Sequence, residues 1–203
     1  HTGLSYEEHR VFHLGEIGDL EQIFEKVENL NKSVGCISSM NVANNLKNAT
    51  YFIPDPWCET KSDESFWSKL FVDFFKQTVK DNAKRKITFK SYLSILLIFL
   101  RFVRLKKYKF FIKLIYMSLK KPWIKSLFLD SLTHEMHLSL VKKHKTDFST
   151  IFFNASAYIM HRYLFSFKKL NSKFSNPDWY ISPKHDPMYD ILEVYDKIIE
   201  DYL

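Results

Sequence analysis

Glycine is scarce: only 4 of the 203 residues. That excludes a Gly-rich phosphate loop and argues against an all-β fold with many tight turns. Cysteine is nearly absent. Cys36 and Cys58 form neither a metal spacing nor a disulfide framework, so the redox compartment stays open. Long apolar runs are missing too. The longest, residues 93–100, contains Ser94 and stops at Arg101, well short of the ~20 residues a membrane span needs. No charged-then-apolar leader opens the chain.

One sign of charge is also missing locally. The net charge is +7, yet residues 82–129 hold 13 Lys and Arg and no Asp or Glu. The remaining residues hold 17 basic against 23 acidic side chains, so the basicity belongs to one segment. What is abundant is apolar: hydrophobic residues are 46% of the chain, and there are 19 phenylalanines. Such a composition builds one sizeable core, or two small ones, and excludes a disordered chain.

Periodicity gives an α/β reading. Leu20, Ile23, Phe24 and Val27 recur at helical spacing over residues 18–29. The short apolar runs at 33–38 and 51–53 read as buried strands, the second ended by Pro54, Asp55 and Pro56. Residues 65–79, 91–119 (as one helix or a broken one) and 123–142 read as helices. A third strand is expected at 149–153, a helix at 156–168 and a last helix at 189–203. The expected architecture is part of a mostly parallel sheet flanked by helices, with a basic helical insertion. The division is 1–58 as α/β core, 59–145 as the insertion and 146–203 as a return to the core. The chain starts at His1 and stops at Leu203 within an amphipathic pattern, which reads as an internal piece of a longer protein.

Several segments carry a resemblance. Residues 2–9 read TGLSYEEH, followed by GCISSM at 35–40, FIPDPW at 52–57, IFFNASAYIMHRY at 151–163 and a closing helix at 186–203. In this order they resemble the type I phosphodiesterase / nucleotide pyrophosphatase branch of the alkaline phosphatase superfamily. Arg10 stands where that pattern has Gly after its His. The resemblance implies a two-metal hydrolase, usually with zinc, acting on phosphoesters, or on sulfate esters, which the superfamily also hosts. It places the nucleophile and most ligands outside these residues and implies an Asp and a His four residues apart near the start of the helix after the third strand. His161 fits the His. Ala157 stands at the Asp position and has no ligating atom; the alternatives are Asn154 as a weaker substitute or an Asp that this subgroup does not need. For His161 the alternatives are a metal ligand and a partly buried structural histidine.

Other groups have simpler readings. Asp130, His134 and His137 fall at i, i+4 and i+7, a ligand-compatible spacing that also suits a solvated polar face. His9 and His13 read as structural hydrogen-bonding groups, Asp55 as a turn residue, and Trp57, Trp67, Trp123 and Trp179 as packing residues. Lys106, Lys109, Lys113 and Lys120 form a stripe beside Phe110, Leu114 and Met117, the pattern of an interfacial helix. The expected partners are a phosphoester small molecule or lipid-linked substrate and an anionic membrane surface. Nucleic acid is disfavoured, since no recognised motif is present and the acidic remainder repels phosphate. The rival to a hydrolase is a non-catalytic basic helical module binding anionic membrane or nucleic acid.

Overall fold

The computed structural model describes residues 21–203 except 41, 59, 82–88 and 171–172. The TGLSYEEH segment, Arg10 and His13 lie outside the described residues. The fold is α/β. In chain order it runs α1 (Ile23–Asn29), β1 (Val34–Ile37), β2 (Tyr51–Ile53), α2 (Phe66–Asp81), α3 (Phe89–Phe102), a 3-10 turn (Leu105–Lys107) and α4 (Tyr108–Ser118). It continues with α5 (Ile124–His144), β3 (Phe148–Ile151), α6 (Ala155–Tyr163), a second 3-10 turn (Leu164–Ser166) and α7 (Pro187–Glu200). The described residues pack as two units, one from 21–102 with 137–152 and one from 103–136 with 153–203. Among the described residues, no helix is long and apolar enough to cross a membrane.

The first unit holds a parallel sheet of order β2-β1-β3. The central strand β1 and its edge neighbour β2 are apolar and fully buried, as strands covered on both faces must be. Phe24 and Val27 of α1 pack with Val34, Cys36, Phe52 and Phe148. Gln22 and Glu25 form a reciprocal capping box at the start of α1. Asn31, at φ 57°, lets the chain leave that helix. Gly35 has a specific task. It pairs with Tyr51 on one side and Ser149 on the other, and the Tyr51 ring crosses over it to meet the Ser149 hydroxyl at 2.6 Å. A Cβ at Gly35 would run into that ring. His137 Nε2 reaches the same Ser149 hydroxyl at 2.6 Å.

The third strand runs Phe148–Ile151 and is half-buried, where the sequence suggested a buried strand at 149–153. The Phe152 amide still donates to the Ile37 carbonyl, but Asn154 already caps α6, so the chain turns away before Phe153 can pair. The expected helix at 91–119 is broken: α3 ends at Phe102, Arg104 adopts an extended conformation, and α4 starts at Tyr108.

The second unit packs Leu114, Trp123, Ile124 and Leu127 with Ala155, Ile159 and Tyr163 of α6 and with Ile191, Val194 and Ile198 of α7. The apolar stripe of α7 sits at helical spacing, and Asp186 caps its first turn by accepting from the Tyr189 amide, with Pro187 following. Trp123 is buried there, and its indole N–H donates to Asp190 at 2.8 Å. Trp57 and Trp179, expected to pack, are largely exposed.

Candidate functional site

Two places are candidates, each within one unit. The first is the carboxyl edge of the sheet, where open α/β sheets take ligands. GCISSM runs from β1 into this edge, and FIPDPW runs from β2 into it. Ser38 turns the chain at φ 59°, and its amide donates to the Ile53 carbonyl. The Ser39 and Thr150 hydroxyls lie 2.8 Å apart. Asp55 is buried, and its carboxylate accepts the Trp57 amide at 2.9 Å, the Asx turn expected of an aspartate between two prolines. Burial pushes the Cys36 thiol up, against smaller opposing hydrogen bonds from Ser39 and Thr150. A thiol held protonated in this way is a packing group and not a nucleophile.

The second place lies on α5. Asp130, His134 and His137 are all buried, which corrects the reading of a solvated face. The three point into separate networks. Asp130 accepts from the Ala155 amide at 2.8 Å, the Asn154 amide at 3.3 Å and the Tyr195 hydroxyl at 2.7 Å. Burial raises its pKa to about 6, against the opposing pull of those donors. His137 belongs with Ser149, as described above.

His134 joins an ionic cluster. Arg104 grips Glu135 with two nitrogens, at 2.9 and 2.5 Å, and its Nη2 also meets Asp201 at 2.7 Å. Lys107 Nζ lies 2.6 Å from the same Asp201 oxygen, and His134 Nε2 lies 3.1 Å from it. The Tyr202 hydroxyl is 3.2 Å from His134 Nδ1. Burial alone would raise Asp201, but hydrogen bonds from Arg104, Lys107 and His134 outweigh it and hold that carboxyl well below its usual range. Burial lowers the His134 imidazole, partly offset by Asp201 and Glu135, so the neutral ring dominates. Its Nε2–H then donates to Asp201 and its Nδ1 accepts from Tyr202. Beside the cluster opens a pocket of about 230 Å³, walled by Phe110, Phe111, Val194 and Ile198.

His134, Glu135 and Asp201 are the one group of three ligand-type side chains close enough to share an ion among the described residues. They do not fit one. The Glu135 and Asp201 oxygens are engaged by two permanent cations, both His134 nitrogens are engaged, and a divalent ion would sit against Arg104 and Lys107. His161, the ligand implied by the resemblance, lies exposed in the last turn of α6 and belongs to no such group among the described residues. The described residues therefore do not assemble a metal centre by themselves.

Arg104, Glu135 and Asp201 went unnoticed in the sequence. They lie 31 and 97 residues apart in their hydrogen-bonded pairs, so no local motif marks them. Arg104 is one of 13 basic residues in a segment with no acid of its own, so composition does not single it out. Comparison with protein-family models, with curated proteins and with solved structures finds no match.

Proposed function

We propose that these residues form part of a metal-dependent hydrolase of phosphoesters, or of the related sulfate esters, resembling the type I phosphodiesterase branch of the alkaline phosphatase superfamily. One observation carries the reading. Two of the segments that resemble the family, GCISSM and FIPDPW, are neighbouring parallel strands that both release their turns at the carboxyl edge of one sheet. That is where such a hydrolase gathers its ligands from scattered strand ends. A divalent metal, zinc in this proposal, would be held largely by residues beyond those described; His161 of α6 is the residue whose place in the sequence fits the family's ligand pattern. No step of the reaction is assigned to the described residues.

The test compares two proteins with a chromogenic phosphodiester, phosphomonoester and sulfate ester. The present chain is expected to show no turnover with zinc above a metal-free blank. The same chain extended on both sides by its own flanking coding sequence is expected to turn over one of the three, to lose that turnover to a chelator, and to lose most of it on His161→Ala. Turnover by the short chain, or none by the extended one, rejects the proposal.

A further inference from the structure

We infer that the outer face of α4 docks on an anionic lipid surface. Helix α4 has two unlike sides. Phe111 and Leu114 are buried, and Phe110 and Met117 pack on the same core. This corrects the expectation that Phe110, Leu114 and Met117 form the free apolar partner of the lysines. The free apolar face is a different one. Ile112, Ile115, Tyr116 and Leu119 are 63%, 53%, 63% and 79% exposed. They fall at i, i+3, i+4 and i+7, so they make one continuous stripe, which exposed Leu105 extends toward the preceding turn. A stripe of large aliphatic side chains left in water is an interaction surface rather than scattered exposure.

Charge identifies the occupant. At ~100° per residue, Lys109 and Lys113 of α4 line up along one edge of the stripe, between it and the buried side, with Lys106 in the preceding 3-10 turn and Lys120 just past the helix end. All four are exposed. The segment 82–129 carries no acidic residue of its own; Glu193 of α7, itself paired with Lys197, lies within electrostatic reach of Lys113. An aliphatic stripe bordered by lysines, with a tyrosine at the border, is what a helix lying in the headgroup region requires. The aliphatic side chains enter the acyl boundary while the lysine stems reach back to the phosphates. A second copy of the chain is disfavoured as the occupant, because a self-complementary contact would bring like-charged lysine rows together. Nucleic acid would leave the aliphatic stripe in water.

The experiment is co-sedimentation of the chain with vesicles of pure phosphatidylcholine and of phosphatidylcholine with phosphatidylglycerol. Binding is expected to the anionic vesicles only and to weaken with salt. Lys109→Gln with Lys113→Gln lowers the partition coefficient by about twenty-five-fold, because each lysine at an anionic surface contributes about a factor of five. Ile112→Ser with Ile115→Ser abolishes binding while leaving the melting curve unchanged, since both side chains are exposed. Lys142→Gln with Lys143→Gln, exposed lysines on α5, serves as the control and leaves binding intact. Equal binding to both vesicles, binding to neither, or a control as damaging as the α4 lysine pair overturns the proposal. So does a lipid-free dimer that the isoleucine variant dissociates.

Discussion

Asp130 shows how much a single buried carboxyl decides. Its oxygens take the first amides of α6 and the Tyr195 hydroxyl, so it ties α5, α6 and α7 together. Burial also makes its charged form costly, and the folded chain holds its proton to about pH 6 against an ordinary 3.8. The sign follows from proton uptake. The unfolded chain releases this proton near pH 4 and the folded chain near pH 6, so folding takes up a proton in that window. The Asp130 contribution to stability therefore falls as pH rises from about 4 to about 6. The roughly two pH units, at about 1.4 kcal/mol each, bound the loss at about 3 kcal/mol. Asp130→Asn removes the titration and keeps the shape. The stability of the native chain relative to this variant, measured by urea unfolding, is expected to shrink from pH 4 to pH 7. A flat difference across that range would mean that Asp130 stays ionised in the fold.

At the scale of elements, the helices were legible because a 3.6-residue apolar period is local information. The core stripe of α7 could be read without knowing its partners, whereas in α4 spacing alone did not tell the buried Phe111 and Leu114 from the face left free. Helix α5 was harder, because buried polar and apolar residues alternate around it without an amphipathic face. Ser131 and Thr133 satisfy themselves by bonding back to the Leu127 and Leu129 carbonyls, a device invisible in spacing. Arg104 links the break before α4 to α5 and to the end of α7. Glu135 is almost wholly buried, with its carboxylate on the guanidinium fork and on the Arg104 amide. Arg104→Ala would strand that carboxylate, and loss of one partner of a buried pair costs about 3–5 kcal/mol. The predicted outcome is an unfolding free energy, measured in urea, lowered by that amount. A change below about 1 kcal/mol would place the cluster with solvent-screened surface pairs.

For the whole molecule, the α/β class was within reach of the sequence and the site chemistry was not. Short apolar runs announce buried strands, and their neighbours need not be known. An ionic cluster is assembled from residues whose meeting only the fold decides, and Asp201 lies 97 residues along the chain from Arg104. The same cluster makes a prediction about metal. His134, Glu135 and Asp201 have the spacing of a ligand set, yet Arg104 and Lys107 already neutralise both carboxylates. A zinc ion would have to displace two cations and break the His134 bonds to Asp201 and Tyr202. Any ion bound only by the folded chain would stabilise it, by about 2.7 kcal/mol at a hundred times its dissociation constant. Zinc or magnesium added to this chain is therefore expected to leave the melting temperature where it was, and a chelator to do nothing. Were zinc to raise the melting temperature in a way that His134→Ala removes, the cluster would be a metal site. Were His161→Ala to remove it instead, α6 would hold an ion without the partners that the resemblance places elsewhere.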